Sequence, residues 1–221
     1  MKIFLDTANI KEISQYAFII DGVTTNPTLM AQEKTGYHIR DHIIEIAKIV
    51  HGPISVEAMS QTAPEIVIEA EELAAISPDI VVKVPMNEAG LQATKILSDR
   101  GVKTNVTLIF SANQAFLAAK AGASYASIFV GRLDDIGHDG IQVVSDSTEI
   151  FRQHKFETEL ITASVRHPLH VINAAKAGSH VITIPPKVLS LMFRHNLTDV
   201  GLKKFSDDWA QLVKKQGAGI K

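Results

Sequence analysis

Short apolar runs alternate with helical stretches along the whole of this 221-residue chain. Eight of these runs are predicted to be strands, at 3–6, 22–25, 54–57, 80–84, 104–107, 125–129, 160–164 and 181–184. Between them, apolar residues recur at the spacing of an amphipathic helix, and no linker rich in proline, glycine or serine interrupts the pattern. This alternation predicts an α/β fold in which residues 1–221 form one (β/α)₈ TIM-barrel domain rather than an open sheet.

The C-terminal segment predicts one helix more than the barrel needs. Phe205, Trp209 and Leu212 recur at helical spacing after the last predicted strand, which places an extra amphipathic helix at about 198–215. Its apolar face either packs back on the barrel or meets another molecule. The sequence pattern leaves both possibilities open.

A lysine lies inside the apolar run Ile80–Pro85, which has the composition of a strand buried on both faces. We therefore expect Lys83 to be buried. An ammonium ion removed from water either pairs with a counter-charge or becomes a neutral amine, and a neutral amine in a closed pocket attacks carbonyl groups. The alternative is a structural lysine whose stem packs while its head passes the strand end to reach an acidic neighbour.

Polar residues stand at the C-terminal ends of several other predicted strands, where the active sites of barrels lie. They are Asp6, Thr25, Asn26, Glu57, Asn105, Thr107, Ser127 and Ser164. Each has an ordinary structural explanation as a helix cap, a turn residue or a strand residue. Together they predict carboxylates, amides and hydroxyls around one amine, which is what formation of a carbinolamine requires.

Arginines follow the sixth and seventh predicted strands, near the position where many barrels bind a substrate phosphate. Arg132 and Arg166, with the Ser164 hydroxyl, are suited to an anionic group. Alternatively, Arg132 forms a surface ion pair with Asp134 or Asp135.

The composition argues against several classes of partner. Lys and Arg total 22 against 24 Asp and Glu, so no general attraction to nucleic acid or to an anionic membrane is expected. The absence of cysteine, and of a signal-peptide pattern at the start, agrees with a cytoplasmic location. There is no nucleotide-binding motif.

No metal site is expected either. The helix-spaced pair His38 and His42, and the nearby pair His167 and His170, end no predicted strand, and we expect them at solvated helix or loop positions.

Several stretches of the chain resemble the small transaldolases, and the similarity covers nearly its whole length. They are FLDTAN at 4–9, DGVTTNPT at 21–28, VKVP at 82–85, TNVTLIF at 104–110, FVGRLDD at 129–135 and FSDDW at 205–209. Small transaldolases share their fold and lysine chemistry with the fructose-6-phosphate aldolases. The resemblance therefore implies either transfer of a dihydroxyacetone unit or its release.

The resemblance also implies roles for individual residues. Lys83 corresponds to the Schiff-base lysine and Asp6 to the acid/base at the cleaved hydroxyl. Glu57 corresponds to the carboxylate that transfers protons through a water, which the Thr107 hydroxyl orients. No metal or organic cofactor is implied.

The substrate-binding positions follow in the same way. Asn26 and Asn105 correspond to residues that hold the dihydroxyacetone part, with Thr25 beside Asn26 and Ser127 on the donor hydroxyls. Those at the phosphate are Arg132, Ser164 and Arg166.

Two positions separate the two reactions. Fructose-6-phosphate aldolases typically have glutamine at the position of Glu57 and tyrosine at that of Phe129, so the resemblance favours a transaldolase of the pentose phosphate pathway. An aldolase, a non-catalytic sugar-phosphate-binding barrel and Phe129 as simple core filler remain alternatives. The resemblance further implies a homo-oligomer, a pentamer or decamer, with the C-terminal helix at a subunit contact.

Overall fold

The computed structural model describes residues 1–33 and 38–216 of the chain. Eight parallel strands form a closed barrel in chain order, with β1 pairing with β8, which confirms the predicted TIM barrel. The strands are β1 (Lys2–Asp6), β2 (Gly22–Thr24), β3 (Ile54–Glu57), β4 (Ile80–Pro85), β5 (Thr104–Ile109), β6 (Tyr125–Phe129), β7 (Glu159–Ala163) and β8 (Val181–Ile184).

Helices follow the strands and cover the outside of the barrel. Those in the described residues are α1 (Ile10–Tyr16), α2 (Pro27–Gln32), α3 (Ile39–Ile49), α4 (Ala63–Ala74), α5 (Glu88–Asp99), α6 (Ala112–Lys120), α7 (Val130–Asp134), α8 (Gly140–His154), α9 (Pro168–Lys176), α10 (Pro186–Met192) and α11 (Asn196–Gln216). Their buried faces and the outward faces of the strands form the main hydrophobic core. No helix within these described ranges is both long and apolar enough to cross a membrane.

A smaller apolar cluster fills the lower part of the barrel. Besides Ala163, its buried members, which we call the apolar floor, are Phe4, Val81, Tyr125, Ile161 and Val181. Side chains two residues apart on a strand point to the same face, so the next inward positions are those of Asp6, Lys83, Ser127, Ala163 and Thr183. All five line one pocket above the floor. The floor thus closes the barrel to water from below and leaves a single polar mouth at the C-terminal ends of the strands.

Gly22 makes room for Phe4, one of the two aromatic members of the floor. A Cβ atom at this position would lie 2.8 Å from the Phe4 ring and 2.6 Å from the carbonyl oxygen of Pro53. Any larger residue would push strand β2 away from β1 or displace Phe4.

Some strand ends differ by one or two residues from the predicted ones, and each difference has a local cause. Strand β7 ends before Ser164 because that residue adopts a left-handed conformation, with φ of 59°. Strand β5 continues past Thr107 to Ile109 through an irregularity at Leu108, where φ is 61° and the pairing with β6 shifts register.

The extra C-terminal helix is present and begins at Asn196, two residues before the predicted start. Its large apolar side chains remain exposed, including Phe205 (71%), Trp209 (50%) and Leu212 (42%). The apolar face of α11 therefore does not pack back on the barrel of its own chain.

Candidate active site

The pocket at the mouth of the barrel has a volume of about 490 Å³. Every predicted site residue except Thr25 lines it, namely Asp6, Asn26, Glu57, Lys83, Asn105, Thr107, Ser127, Phe129, Arg132, Ser164 and Arg166. The ends of seven strands, β1 to β7, bring these residues together from positions that are far apart in the sequence.

Lys83 lies at the base of this pocket and is 6% exposed. Its Nζ donates a hydrogen bond to the carbonyl oxygen of Thr25 at 2.8 Å and lies 3.2 Å from Oε2 of Glu57. The register of the sheet produces the second contact, because Glu57 and Lys83 are paired across β3 and β4. Lys83 thus has an acidic neighbour, as the interpretation of a structural lysine required. Its amino group, however, stays in the pocket instead of passing the strand end to reach bulk solvent.

Thr25 contributes its main chain rather than its side chain to the site. Its hydroxyl points away from the pocket and donates to the carbonyl oxygen of Ser55 at 2.8 Å. Its own carbonyl is then held where it accepts from Lys83.

Asn26 serves as a helix cap and as a pocket residue at once. Its Oδ1 accepts from the backbone N–H of Leu29 at 3.0 Å and caps α2, which begins at Pro27. The amide oxygen is occupied by this contact, so the amide NH₂ is the group that Asn26 offers to the pocket.

Asp6 is joined to two threonines that sequence reasoning missed. Thr24 donates to Oδ1 of Asp6 at 2.8 Å, and its hydroxyl lies 2.6 Å from that of Thr183. Because the single proton of Thr24 goes to Asp6, Thr183 must be the donor to Thr24. Both threonines line the pocket.

Burial raises the pKa of the Asp6 carboxyl, and this effect outweighs the hydrogen bond from Thr24 and the nearby charge of Lys83, which both lower it. The neutral acid therefore persists to higher pH than for an ordinary aspartate. A carboxyl group whose pKa is raised in this way holds its proton more readily, and it can both accept and return a proton.

A chain of hydrogen bonds holds Asn105 in a single orientation. Ser127 donates to Oδ1 of Asn105 at 2.7 Å, and Nδ2 of Asn105 donates to the hydroxyl of Ser55 at 3.1 Å. All three residues are buried. One amide hydrogen of Asn105 remains for another acceptor in the pocket.

Thr107 carries a buried hydroxyl that has no hydrogen-bonding partner among the described residues. Buried hydroxyls are normally satisfied, so this one marks a position for a water or a substrate oxygen. It lies next to Leu108, at the irregularity in β5.

The residues predicted to bind an anion come together where α7 approaches the loop after β7. The backbone N–H of Gly131 donates to the carbonyl of Ser164 at 3.1 Å, and a Cβ atom on Gly131 would lie 2.1 Å from that oxygen. This approach requires glycine. It brings Arg132, Ser164 and Arg166 to one side of the pocket.

Arg132 does not pair with either nearby aspartate. Asp134 contacts His170, and Asp135 forms an exposed ion pair with Arg166 at 2.8 Å. The guanidinium of Arg132 lies 5.0 Å from the centre of the Phe129 ring. It forms no ion pair with any of the residues that the structure describes. It is therefore oriented by an aromatic face and has its donors free for an anion.

The expectation that the paired histidines are solvated was wrong for two of them. His42 is 3% exposed and bonds to the carbonyl of Ala8 at 2.7 Å, and His170 is 4% exposed and lies 2.7 Å from Asp134. Both are on the buried sides of their helices, which spacing alone did not reveal. Among the residues that the structure describes, no cluster of three or more histidine, aspartate or glutamate side chains has the arrangement of a metal site.

Comparison with known proteins identifies the family. The family model described as Transaldolase/Fructose-6-phosphate aldolase matches residues 3–216. The chain belongs to this family.

Similar proteins in several bacteria carry the name probable transaldolase. One from Moorella thermoacetica is 58% identical over 97% of this chain and the whole of that protein. One from Pelotomaculum thermopropionicum is 57% identical with the same coverage, and one from Geobacillus thermodenitrificans is 53% identical over 95% of this chain and 98% of its own length. The transaldolase/fructose-6-phosphate aldolase resemblance drawn from the sequence is confirmed.

The raised pKa of Asp6 predicts an effect on stability. The folded-state pKa lies above the ordinary 3.8, so folding favours the neutral carboxyl. The resulting contribution to the free energy of unfolding is fully present below pH 3.8, and it is lost as the pH rises through the folded-state pKa. Asp6→Asn, which is always neutral, should therefore gain stability over the parent as pH rises toward 7. Urea unfolding of both proteins across this range measures the difference.

The matched control is Asp146→Asn, on the exposed surface of α8. Its difference from the parent should stay flat over the same range. An Asp6→Asn difference that also stays flat, or that falls with pH, would contradict the account of the carboxyl's environment.

Proposed function

We propose that this protein is a transaldolase that works through a Schiff base on Lys83. It moves a dihydroxyacetone unit from sedoheptulose 7-phosphate or fructose 6-phosphate to glyceraldehyde 3-phosphate or erythrose 4-phosphate. The observation that carries the proposal is the buried amine of Lys83, held in the pocket by the Thr25 carbonyl and the Glu57 carboxylate.

Formation of the Schiff base needs proton transfers that Glu57 is placed to make. Lys83 gives up a proton, and its neutral amine attacks the ketone carbon of the donor sugar. The ketone oxygen takes up two protons and leaves as water while the attacking nitrogen loses one, so that the carbinolamine becomes an iminium. Glu57 supplies and recovers these protons, directly or through a water at the unpartnered hydroxyl of Thr107.

Asp6 handles the proton of the cleaved bond. The iminium draws electrons from the neighbouring carbon–carbon bond while Asp6, as a carboxylate, takes the proton of the donor hydroxyl. The aldose phosphate leaves and a three-carbon enamine stays bound to Lys83. The acceptor aldehyde then adds in the reverse sense, with Asp6 returning the proton, so ping-pong kinetics follow.

The remaining pocket residues hold the sugar in register with these groups. The amides of Asn26 and Asn105 and the hydroxyl of Ser127 face the three-carbon part. Arg132 and Arg166, with the Ser164 hydroxyl, are placed to bind the phosphate. Binding energy at the phosphate thereby positions the reacting carbon atoms at Lys83.

Transfer is favoured over release by the wall of the pocket. Phe129 packs edge-on against Phe110, with ring centres 5.8 Å apart, and lies beneath Arg132. It has no hydroxyl with which to position a proton donor or water at the enamine. The enamine therefore persists until an acceptor arrives. The alternative reaction is that of an aldolase, which releases free dihydroxyacetone. Neither Phe129 nor Phe110 carries a group that favours it.

The same proposal includes a place in metabolism. Exchange of three-carbon units between sugar phosphates is the reaction of the pentose phosphate pathway, and we infer a cytoplasmic enzyme that needs no metal or organic cofactor.

Removal of the amine tests the proposal directly. Lys83→Ala should reduce acceptor-dependent conversion of fructose 6-phosphate with erythrose 4-phosphate to the uncatalysed background, because no other group can form the iminium. A coupled assay for the released glyceraldehyde 3-phosphate measures this, with circular dichroism to confirm folding. The control is Lys176→Ala on the exposed end of α9, which should keep full activity; retained turnover in Lys83→Ala would refute the proposal.

A hydroxyl on the pocket wall should shift the reaction toward release. Phe129→Tyr is expected to raise the formation of free dihydroxyacetone without acceptor by at least about ten-fold, since a positioned proton donor contributes on the order of 10²–10⁴ in rate. The same assay with and without erythrose 4-phosphate gives the ratio. Phe116→Tyr, on the outer helix α6, is the control; if Phe129→Tyr leaves the ratio unchanged, Phe129 is only a packing residue.

We also propose that α11 joins copies of this chain into a homo-oligomer, a pentamer or decamer as the family resemblance implies. The exposed apolar residues Phe205, Trp209 and Leu212 lie on one face of this helix, and such a face is stable in water only when covered.

The double variant Phe205→Glu/Trp209→Glu should therefore sediment as a smaller species than the parent, because charges on this face prevent it from being buried. Lys214→Glu, on the opposite face of the helix, is the control and should leave the assembly unchanged. Sedimentation velocity distinguishes the outcomes, and an unaltered oligomer in the double variant would exclude α11 as the contact.

A further inference from the structure

His170 lies outside the pocket, on helix α9, and makes two hydrogen bonds that the proposed mechanism does not use. The backbone N–H of Arg166 donates to Nδ1 at 3.2 Å, and Nε2 lies 2.7 Å from Oδ2 of Asp134. Because Nδ1 accepts, the ring proton is on Nε2 and is donated to Asp134. The ring is therefore fixed at both nitrogens in one tautomer.

Asp134 is itself held in place at the end of α7. Its other oxygen, Oδ1, accepts from the backbone N–H of Gly140 at 3.0 Å, at the start of α8. A continuous series of hydrogen bonds thus runs from Gly140 through Asp134 and His170 to the main chain of Arg166. It links three helices, α7, α8 and α9, to the loop that follows β7.

That loop needs such support because its conformation is unfavourable by itself. Ser164 has a φ of 59°, a left-handed conformation that costs a residue with a side chain about 1 kcal/mol or more. Residues 164–166 follow the end of β7 and have left the sheet. Two backbone contacts keep them in place, from Gly131 to the carbonyl of Ser164 and from the amide of Arg166 to His170.

We propose that His170 is a positioning residue for the anion site: it fixes the main chain of Arg166 so that Ser164 and Arg166 present their side chains to the phosphate of the substrate. This inference rests on the proposed function. His170 does not touch the substrate, so its effect is confined to substrates and ligands that carry a dianionic group.

The electrostatic surroundings keep the ring in the form that this role requires. Burial lowers the pKa of His170, the hydrogen bond and charge of Asp134 raise it, and the charges of His167 and Arg166 lower it again, with a net decrease. Nδ1 therefore stays unprotonated and able to accept from Arg166. The His167 ring, centred 3.9 Å from that of His170, covers the remaining side.

The test separates anion binding from catalysis. His170→Phe keeps a ring in the buried site but removes both polar contacts. With fructose 6-phosphate its KM should rise about ten-fold, the effect expected from losing about one buried hydrogen bond, while kcat stays within about two-fold. Half-saturation of borohydride trapping by dihydroxyacetone, which has no phosphate, should not change.

Two further variants make the result specific. His170→Asn places an amide oxygen where Nδ1 lay, so it restores the acceptor for the backbone N–H of Arg166 without reaching Asp134, and it should recover most of the lost affinity. His180→Phe removes the same kind of contact elsewhere, because Nδ1 of His180 accepts from the backbone N–H of Leu160 at 3.0 Å at the N-terminal end of the barrel, and it should leave the KM for fructose 6-phosphate unchanged. Sulfate binding, measured by calorimetry, should weaken in His170→Phe and recover in His170→Asn.

A parallel loss with fructose 6-phosphate and dihydroxyacetone, a loss in kcat alone, or unchanged sulfate binding would each overturn the role of His170. If His170→Phe does not fold, His170→Ala is measured in its place against the same Asn variant. Sulfate binding does not depend on turnover, so a parent protein that traps neither ketone would refute the proposed function while the calorimetric comparison still decides the role of His170.

Discussion

The site depends on one unfavourable placement: the amine of Lys83 lies at the centre of the barrel, and the apolar core of the barrel excludes water from beneath it. The apolar floor, with Phe4 and Tyr125 among its members, excludes solvent beneath Lys83, and the amine is left with the Thr25 carbonyl and the Glu57 carboxylate as neighbours. Burial of a charge is costly unless it is paired. The pairing with Glu57 offsets that cost in the resting protein, and in the proposed mechanism it also provides the proton acceptor through which the amine becomes a nucleophile. Stability and reactivity are therefore two aspects of the same contact.

A second arrangement of this kind surrounds Asp6. Its carboxyl is desolvated, yet the hydroxyls of Thr24 and Thr183 supply a hydrogen-bonded path to it. On the other side of the pocket, a left-handed serine and a glycine at close approach shape the anion site. Each of these features is unfavourable alone, and each is held by the regular barrel around it. Active sites commonly store strain and desolvation in this way, at the expense of stability.

The sequence predicted the barrel and most of the candidate site because both follow from local patterns. Apolar runs alternating with helical spacing define the eight strands, and a polar residue at a strand end must point to the mouth of a parallel barrel. Lys83 could be predicted in this way, because a lysine within a buried β-branched run is expected to be either a nucleophile or a structural ion-pair partner. Thr24 and Thr183 could not. Thr24 reaches Asp6 through the register of β1 and β2, and Thr183 reaches Thr24 because the barrel closes with β8 beside β1. The left-handed conformations of Leu108 and Ser164 also escaped prediction, as neither is glycine, and the buried contacts of His42 and His170 depend on how helices face the sheet.

The central claim is that the Lys83 nitrogen forms a covalent bond with the ketone carbon of a sugar phosphate. The most direct measurement is to reduce a mixture of the protein and fructose 6-phosphate with borohydride, digest it, and locate the added mass by peptide mass spectrometry. The account predicts one modified peptide, the one that contains Lys83, with a three-carbon adduct on that residue. An adduct on a different lysine, or none under conditions of full turnover, would contradict it.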